Sequence, residues 1–322
     1  MTRRATPVGI GRGRRGGARG AALITALLLT ALAAVMVAGM LWRQWGAIQR
    51  EQAARESEQA RWILRGALDW ARLILNEAAR NSRVVALDQP WAVPLAESDL
   101  SRFLAAGRND TLGQTWLEGR IEDAQSRFNL TDLAAFGKPS PDATLALQRL
   151  CSAIGVDPRL AQMLAEAIAA AQAPGSKLLP IRELQDVARV SPAVAAALPR
   201  LAAYVTVLPR ATPVNVNTAG ASVLGAVLDL PSDQVARLLA RRKQKHFDSL
   251  QDLKTFLGSA APDKIDDSLA GTSSDFFSAI ARVRMGDFQY AERALLQRVG
   301  MSTQILRMQR VAPWLADPKP QA

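Results

Sequence analysis

A run of 22 uncharged residues near the N-terminus, Ala21 to Trp42, constrains this chain more than any other feature. As an α-helix with a rise of about 1.5 Å per residue it measures about 33 Å, which is enough to cross the hydrocarbon core of a bilayer. The twenty residues before it contain six arginines and no acid, and they supply more than half of the net charge of +11. Because basic flanks stay on the cytoplasmic side, the sequence predicts a cytoplasmic N-terminus, with the rest of the chain across the membrane.

The residue composition excludes several classes of function. The chain has one cysteine, Cys151, and one histidine, His246, so it cannot form an internal disulfide and lacks the ligands of common zinc sites. No phosphate-binding glycine loop and no nucleophile-elbow motif occurs in the sequence. We therefore expect no enzymatic activity. Cys151 has helical spacing with Leu147 and Ile154, which predicts a buried thiol.

Three interpretations compete for the N-terminus. A secretory signal peptide has an apolar region of about 7–15 residues, whereas here apolar residues continue to Ile48. A plain signal anchor is the second interpretation. The third is a processed leader, because Gly20 directly precedes the apolar run. The junction of Gly20 and Ala21 resembles the site in type IV pilin-like proteins where prepilin peptidase cuts after a glycine.

The fifth residue after that junction is Thr25, where pilins usually carry a glutamate. A carboxylate in the apolar zone is costly unless it meets a positive partner. In pilins that partner is thought to be the N-terminal amine of an earlier subunit. Thr25 therefore indicates either a protein outside the pilin class or the first subunit at the tip of a filament.

Helical periodicity continues beyond the apolar run to about Asn81. Apolar residues recur at steps of three and four, as on one face of a helix; they are Ile63, Ala67, Trp70, Ile74 and Ala78. We expect Trp70 and Ile74 to pack against a sheet.

Two regions of the sequence have strand character. In the first, Leu87 to Leu95 contains two prolines and indicates an ordered loop, and Thr115 to Asp123 with Arg127 to Leu130 predicts a hairpin around Glu122–Gln125. In the second, alternation predicts a strand from Phe276 to Met285 and a turn at Gly286–Asp287. Two further strands, Phe288 to Gln297 and Gln304 to Val311, would complete an antiparallel meander.

Between these regions the chain is rich in alanine and leucine with helical spacing. Two similar units follow one another: Gly155–Pro158 leads into one helix and Leu230–Asp233 into another. The second unit opens with Pro213-Val214-Asn215-Val216-Asn217, which resembles the start of helix-hairpin-helix modules, many of which bind DNA.

A membrane-anchored DNA-binding protein is therefore one alternative function. Its turn would need glycine so that backbone N–H groups could approach phosphate, but the turn from Leu228 to Asp233 has no glycine, one proline and two acids. A basic cluster lies just beyond this turn and suits either phosphate or a solvated helix face; it comprises Arg237, Arg241, Arg242, Lys243 and Lys245.

Taken in order, five segments resemble one family, the K-type minor pseudopilins of the type II secretion system (GspK family). They are RGAALITALLLTALA, LDQPWAVPL, RIEDAQSRFNL, PVNVNTAGASVL, and DFFSAIARVRMGD followed by LLQR. The resemblance spans nearly the whole mature chain. It implies an α+β fold in which a long N-terminal transmembrane helix precedes a small antiparallel pilin-like sheet. A large all-α domain, with two helix-hairpin-helix or SAM-like units, would be inserted into that sheet.

The predicted domain organisation follows from these segments. It comprises a basic leader that is removed (1–20), the transmembrane helix (21–42), the periplasmic part of that helix (43–82), the first part of the sheet (83–138), the inserted all-α domain (139–260), the second part of the sheet (261–312) and a flexible tail (313–322).

The resemblance also implies partners and a location. K-type subunits form a tip complex with I-type and J-type minor pseudopilins, which is thought to start pseudopilus assembly on the inner-membrane secretion platform for export across the outer membrane. Prepilin peptidase would cut between Gly20 and Ala21, and Ala21 would be N-methylated. The protein would be a single-pass inner-membrane protein with a periplasmic bulk, and no nucleic acid is expected as a partner. A minor pilin of a type IV pilus remains an alternative, because it shares the same processing.

Members of the family can bind calcium, and the chain has a local acidic group. Its members are Asp263, Asp266, Asp267 and Asp275. Calcium takes six to eight oxygen ligands, so these carboxylates are chemically admissible, although their spacing is not that of an EF-hand. An acidic surface loop is the alternative interpretation.

Overall fold

A computed structural model describes three ranges of the chain: residues 18–100, 114–258 and 267–312. The tail predicted over 313–322 and all but the last three residues of the predicted leader lie outside these ranges. Residues 1–59 and residues 60–322 form two compact units. The predicted α+β fold with a long apolar N-terminal helix and an antiparallel sheet is confirmed.

Helices account for most of the described residues. They are α1 (Ala18–Asn81), α2 (Pro141–Ala153), α3 (Arg159–Gln172), α4 (Pro192–Leu201), α5 (Ala221–Leu228), α6 (Ser232–Gln244) and α7 (Leu250–Leu257), with short 3-10 helices at Pro90–Ala92, Ala124–Ser126, Leu130–Leu133 and Leu184–Arg189. The strands are β1 (Leu95–Asp99), β2 (Thr115–Asp123), β3 (Phe128–Asn129), β4 (Ala134–Ala135), β5 (Lys138–Pro139), β6 (Val205–Thr206), β7 (Val214–Asn215), β8 (Ala270–Gly271), β9 (Phe276–Met285), β10 (Phe288–Val299) and β11 (Ser302–Val311).

The main sheet of the described residues has five antiparallel strands in the order β1-β2-β9-β10-β11. The strand predicted from Phe276 to Met285 and the turn at Gly286–Asp287 are confirmed. Gly286 has φ +55°, which is the left-handed backbone that a tight hairpin between twisted strands requires. The segment from residue 124 to residue 275 is inserted between β2 and β9, which are neighbours in the sheet.

The C-terminal part of α1 packs its apolar side on this sheet. Leu68 and Leu75 are buried together with Phe277 and Leu296, and Trp91 meets Phe277 edge-on with ring centroids 5.5 Å apart. Such aromatic pairs contribute about 1 kcal/mol beyond the area that they bury.

The expectation that Trp70 packs into the sheet is wrong. Its side chain is 49% exposed, whereas Ile74 does pack against the core. The reason is that the buried side of α1 is rotated slightly around the helix axis, relative to the apolar face predicted from the sequence. The buried side follows steps of three and four through Ala60, Leu64, Leu68, Ala71 and Leu75, and this series places Trp70 at the edge of the buried stripe.

The predicted hairpin around Glu122–Gln125 is also wrong. After β2 the chain enters a 3-10 turn, and β3 then pairs in parallel with β6 instead of returning along β2. Asp123 ends the strand because its Oδ1 accepts a hydrogen bond from the Gln125 backbone N–H at 2.8 Å. Phe128 is 1% exposed and belongs to the core of the inserted helices, so burial directs the chain away from the sheet.

One large apolar core unites α2 to α7 with the segment that precedes them. This core includes Phe128, Leu130 and Leu133, which lie before the predicted start of the all-α domain at residue 139. The domain boundaries themselves stay predictions. Two residues in left-handed conformation, Gly155 with φ +71° and Asp229 with φ +54°, follow α2 and α5. Each turn leads into the next helix, which is the pattern of the predicted repeat.

Candidate functional site: the apolar helix and the motif junction

Within the described residues, α1 is the one helix that is long and apolar enough to cross a membrane. None of its most apolar window is buried, and large side chains such as Leu23, Leu29 and Met36 are more than 60% exposed. An apolar surface of this extent is not stable in water and requires lipid or other protein chains around it.

The predicted processing residues Gly20 and Ala21 lie in the first turn of α1. Cleavage between them stays a prediction. Thr25, at the fifth predicted mature position, donates its Oγ1 hydrogen bond to the Ala22 carbonyl at 3.0 Å. The hydroxyl is therefore satisfied within its own helix and needs no partner from another subunit, unlike a carboxylate at the same position.

Two tryptophans mark the end of the uncharged run. Trp42 and Trp45 stack with ring centroids 5.7 Å apart, and Arg43 lies between them in the sequence. Tryptophan is enriched where a membrane helix leaves the hydrocarbon, because its ring is apolar and its N–H is polar. This position agrees with a span that ends near Trp42.

A second apolar surface lies on the part of α1 that belongs to the larger unit. Trp62, Trp70 and Leu73 are 67%, 49% and 64% exposed and share one side of the helix; we call them the outer stripe. Trp70 also borders a mainly apolar groove of about 380 Å³, whose far wall includes Val93 and Ile121.

A buried carboxylate ties the sheet to the inserted helices. Asp123, at the end of β2, accepts hydrogen bonds from Thr218 Oγ1 at 2.6 Å, Ser274 Oγ at 2.6 Å and Asn215 Nδ2 at 2.8 Å. Together with Gln125, these side chains form what we call the junction. Burial raises the pKa of Asp123, and the hydrogen bonds that favour the charged carboxylate oppose this rise.

Gln125 completes the junction from the same end of β2. Its Nε2 donates to the Pro213 carbonyl at 2.9 Å, and its Oε1 accepts from the backbone N–H groups of Asp275 and Phe276 at 2.6 and 3.2 Å. The point where the chain leaves the sheet is thus bonded both to the second helical unit and to the point where the chain returns to the sheet.

The two asparagines of the Val214–Asn217 segment have distinct structural roles. Asn215 donates to the Val85 carbonyl at 2.9 Å, in the loop after α1, as well as to Asp123. Asn217 exchanges two hydrogen bonds with the backbone of Phe247, at 2.8 and 2.9 Å. Both side chains are fully buried, so this segment organises the interior and presents no side-chain amide to a ligand.

Several residues of the basic cluster that was considered for phosphate binding instead form hydrogen bonds or ion pairs within the protein. Arg242 Nη1 donates to the Val216 and Ala219 carbonyls at 2.9 and 2.7 Å, and burial lowers its pKa to about 10. Arg241 donates to the Lys245 carbonyl, and Lys245 pairs with Asp248 at 2.9 Å. These contacts, and the left-handed Asp229 in the turn, argue against the DNA-binding alternative.

Of the four predicted calcium candidates, the described residues include Asp267 and Asp275. Asp263 and Asp266 lie outside the described residues, Asp267 is exposed, and Asp275 forms an ion pair with Arg210. Residues 18–100, 114–258 and 267–312 contain no group of three or more histidine, cysteine, aspartate or glutamate side chains placed to hold a metal. Asp267 and Asp275 alone do not fit a calcium ion, which needs six to eight oxygens, so calcium binding stays a prediction.

The one cysteine and the one histidine of the sequence, Cys151 and His246, both have contacts within the protein. Cys151 is fully buried, as predicted, and burial raises its pKa to about 11. His246 Nδ1 lies 2.9 Å from Asp88 Oδ2 and its Nε2 lies 3.4 Å from Asp248 Oδ1. The histidine thus links α6 to the loop after α1.

The known proteins that resemble this chain in sequence include type II secretion system K proteins from several bacteria. The type II secretion system protein K of Pseudomonas aeruginosa is 30% identical over 314 residues, which cover 88% of this chain and 90% of that protein. This chain belongs to the type II secretion system protein K family. The Klebsiella pneumoniae protein K is 27% identical, covering 93% of this chain and 98% of its own length.

The family model of type II secretion system protein K matches residues 214–272. This range begins at β7 and ends just after β8, and these two strands pair in parallel. The matched segment therefore contains Asn215 and Thr218 of the junction. In this chain these buried polar residues fix the second helical unit to the sheet.

The fold of this chain is similar to that of a solved structure. It belongs to the GspK-GspI-GspJ complex of the enterotoxigenic Escherichia coli type 2 secretion system. It aligns with a TM-score of 0.63 and 20% identity, covering 82% of this chain and 99% of that chain.

The junction was not predicted from the sequence. Asp123 lies in RIEDAQSRFNL and Asn215 in PVNVNTAGASVL, two of the segments that carry the family resemblance, and no local pattern connects the two residues. One signal was present in the sequence: asparagine is disfavoured in strands, yet Asn215 and Asn217 alternate with valines that lie in a strand pattern. Buried polar residues in such a pattern require partners, and here Asp123 at the end of β2 and the backbone of Phe247 supply them.

Proposed function

We propose that this minor pseudopilin of the type II secretion system is a tip subunit that, with other minor pseudopilins, initiates pseudopilus assembly for protein export across the outer membrane. The observation that carries the proposal is the exposed apolar helix on a chain whose sheet contains a large helical insertion. The helix can join a bundle of similar helices. The insertion is too bulky to be repeated inside a helical filament, which favours a position at its end.

The partners in this proposal are the I-type and J-type minor pseudopilins. The GspK chain with the same fold was solved together with GspI and GspJ. The outer stripe and the adjoining groove supply an exposed apolar surface on α1, of the kind that marks protein contacts. Helix-to-helix packing along Trp62, Trp70 and Leu73 would remove this surface from water.

We propose a single-pass inner-membrane location with a cytoplasmic N-terminus and a periplasmic bulk. The six arginines before Ala21 support this orientation. Prepilin peptidase would cut between Gly20 and Ala21 and the new N-terminus would be methylated. The function needs no catalytic residue, and the surroundings of His246 and Cys151 agree with that.

The intact mass of membrane-extracted protein tests the processing. We expect the loss of residues 1–20 and the gain of one methyl group, only in cells that contain prepilin peptidase. The variant Gly20→Val should retain the leader, and Gly39→Val in the middle of the span is a control that should be processed. An unprocessed wild-type N-terminus, or a cut beyond Trp42, would contradict the proposal.

Co-purification with I-type and J-type subunits tests the assembly surface. We expect Trp70→Glu in the outer stripe to weaken the complex, because a charge would be buried in an apolar contact. The matched control is Met301→Glu, since Met301 is 67% exposed in the turn between β10 and β11. Equal recovery of both variants in the complex would exclude the outer stripe as the contact.

A further inference from the structure

A small cavity of about 150 Å³ lies between the main sheet and the inserted helices, on the face of the sheet opposite to α1. Strands β2, β9, β10 and β11 supply one wall, and the Glu183–Gln185 segment and β6 supply the other. The charged residues that line the cavity are three arginines and three acids, namely Arg127, Arg293, Arg307, Glu122, Asp123 and Glu183. The cavity belongs neither to the junction hydrogen bonds nor to the outer stripe.

The strand register places Glu122, Arg293 and Arg307 of the cavity on one face of the sheet, together with the neighbouring Arg120. Arg120 on β2 and Arg293 on β10 are both opposite Ile280 of β9, and Arg293 is opposite Gln309 of β11. Two residues further along these strands, Glu122 and Leu295 are both opposite Ser278 of β9, and Leu295 is opposite Arg307 of β11. Because residues two apart in a strand share a face, all of these side chains point to the same side.

The glutamates of the cavity already have partners. Glu122 binds Arg120 at 2.7 Å through one carboxylate oxygen and Arg127 at 3.3 Å through the other. Glu183 Oε1 accepts from Arg307 at 2.8 Å and from Gln309 at 2.7 Å.

Asp123 also borders the cavity, but its oxygens are bonded within the junction. In the described part of the chain, Arg293 has no hydrogen bond and no ion pair.

The environment of Arg293 is unfavourable for an unpaired cation. The Arg293 side chain is exposed on β10, and its partial burial still lowers its pKa. Glu122 opposes this effect, and the neighbouring Arg127 and Arg120 add to it. A guanidinium that is partly desolvated beside two like charges gains stability when an anion reaches it.

We infer that this cavity binds a carboxylate from an acidic side chain of an assembly partner, with Arg293 as the residue that contacts it. The volume is large enough for one carboxylate-bearing side chain. The planar guanidinium suits a carboxylate because it can donate two parallel hydrogen bonds. The identity of the occupant as an assembly partner rests on the proposed function, whereas the anion site itself does not.

The anion site is tested first on the full-length protein in detergent, with glutarate as the probe. We expect glutarate to raise the thermal unfolding midpoint relative to sodium chloride at equal ionic strength, because a ligand of the native state stabilises it. Arg293→Met retains the apolar stem of the side chain and should abolish this rise. Arg83→Met should retain it, since Arg83 is an exposed arginine away from the cavity. No rise in the wild type, or an equal rise in Arg293→Met, would overturn the inference.

Inorganic phosphate provides a second probe in the same assay. A rise with phosphate and none with glutarate would overturn the assignment to a carboxylate. We expect glutarate to produce a rise at least as large as that of phosphate. The two charges of glutarate are separated, so one carboxylate can enter the cavity alone, whereas phosphate would bring its whole charge close to the bordering glutamates.

The partner is tested by titrating the full-length protein with the co-purified I-type and J-type subunits. We expect Arg293→Met to weaken association about tenfold, the typical effect of removing one charge-assisted hydrogen-bonded pair, and Arg83→Met to leave it unchanged. Equal affinity of Arg293→Met and wild type would overturn the inference. Failure of the wild type to associate at all would instead contradict the proposed function, and the glutarate result would still decide the anion site.

Discussion

The carboxylate of Asp123 accepts a hydrogen bond from Asn215 Nδ2 at 2.8 Å, although the two residues are 92 positions apart. Asp123 ends the second strand of the sheet, and Asn215 begins the segment that leads into the second helical unit. Both side chains are buried. The hydrogen bond therefore connects two parts of the fold that the sequence separates, and it fixes the helical insertion on the sheet.

Replacing Asp123 by alanine should destabilise the fold. The substitution leaves the buried Asn215, Thr218 and Ser274 donors without their acceptor, and we expect a loss of about 3 kcal/mol in the free energy of unfolding. Denaturant unfolding of the full-length protein measures this loss. Asp287→Ala, in the exposed turn after β9, is the control and should change stability little. Equal stability of the two variants would show that the junction does not hold the insertion.

The sequence predicted those parts of the fold that depend on local patterns. Alternation from Phe276 to Met285 predicted β9 with its observed bounds, and the 22-residue apolar run predicted the exposed part of α1. The hairpin at Glu122–Gln125 was wrong because the partner of Phe128 is Val205, a residue that no local pattern connects with it. Long-range pairing of two-residue strands leaves no periodic signal in either segment.

The candidate site was predictable to a lesser degree. Thr25 and the proposed cleavage site between Gly20 and Ala21 were identified from the sequence, because both are defined by their distance from the apolar run. Asp123 was not identified, because its role depends on three donors from two distant segments. Trp70 was expected to pack on the sheet but lies at the edge of the buried stripe, since the position of a helical stripe read from sequence is defined only to about one position of rotation.

Arg242 should contribute to stability through its backbone hydrogen bonds. Its Nη1 donates to the Val216 and Ala219 carbonyls, so Arg242→Ala should cost about 2 kcal/mol in the free energy of unfolding. Arg242→Lys should recover only part of this loss, because an ammonium group does not reproduce the guanidinium geometry. The exposed neighbour Lys243 provides the control variant Lys243→Ala. If Arg242→Ala and Lys243→Ala were equally stable, Arg242 would have no structural role.

Trp91 should be the main anchor of the loop after α1. Its side chain is 2% exposed, packs on Phe277 and donates its Nε1 hydrogen bond to Gln89 Oε1 at 2.8 Å. We expect Trp91→Ala to cost about 4 kcal/mol, because a large buried ring is removed from the core. Thermal and denaturant unfolding measure the effect. Trp62→Ala, which removes a tryptophan that is 67% exposed, should leave stability nearly unchanged. A similar loss in both variants would contradict the packing described for α1 and its loop.

The pH dependence of stability should include a contribution from Asp132. Its Oδ1 accepts from the Thr212 backbone N–H at 2.8 Å, whereas its buried Oδ2 has no hydrogen-bond partner among the described residues. Burial raises its pKa from 3.8 to about 8, and the Thr212 hydrogen bond opposes this rise. The native state therefore retains a proton that the unfolded chain has already lost. Stability should fall as the pH rises from about 4 to about 8, by at most about 1.4 kcal/mol per pH unit.

Asp132→Asn removes the ionisable group and retains an oxygen for the Thr212 hydrogen bond. We expect this variant to be more stable than the wild type near pH 8, to match it near about pH 4, and to show a smaller decline between these limits. A residual decline should remain, because burial raises the pKa of Asp123 in the same direction. Asp287→Asn should follow the wild-type curve, since it lies in an exposed turn. Parallel curves for Asp132→Asn and the wild type would show that Asp132 is ionised in the folded protein and that its surroundings stabilise the charge.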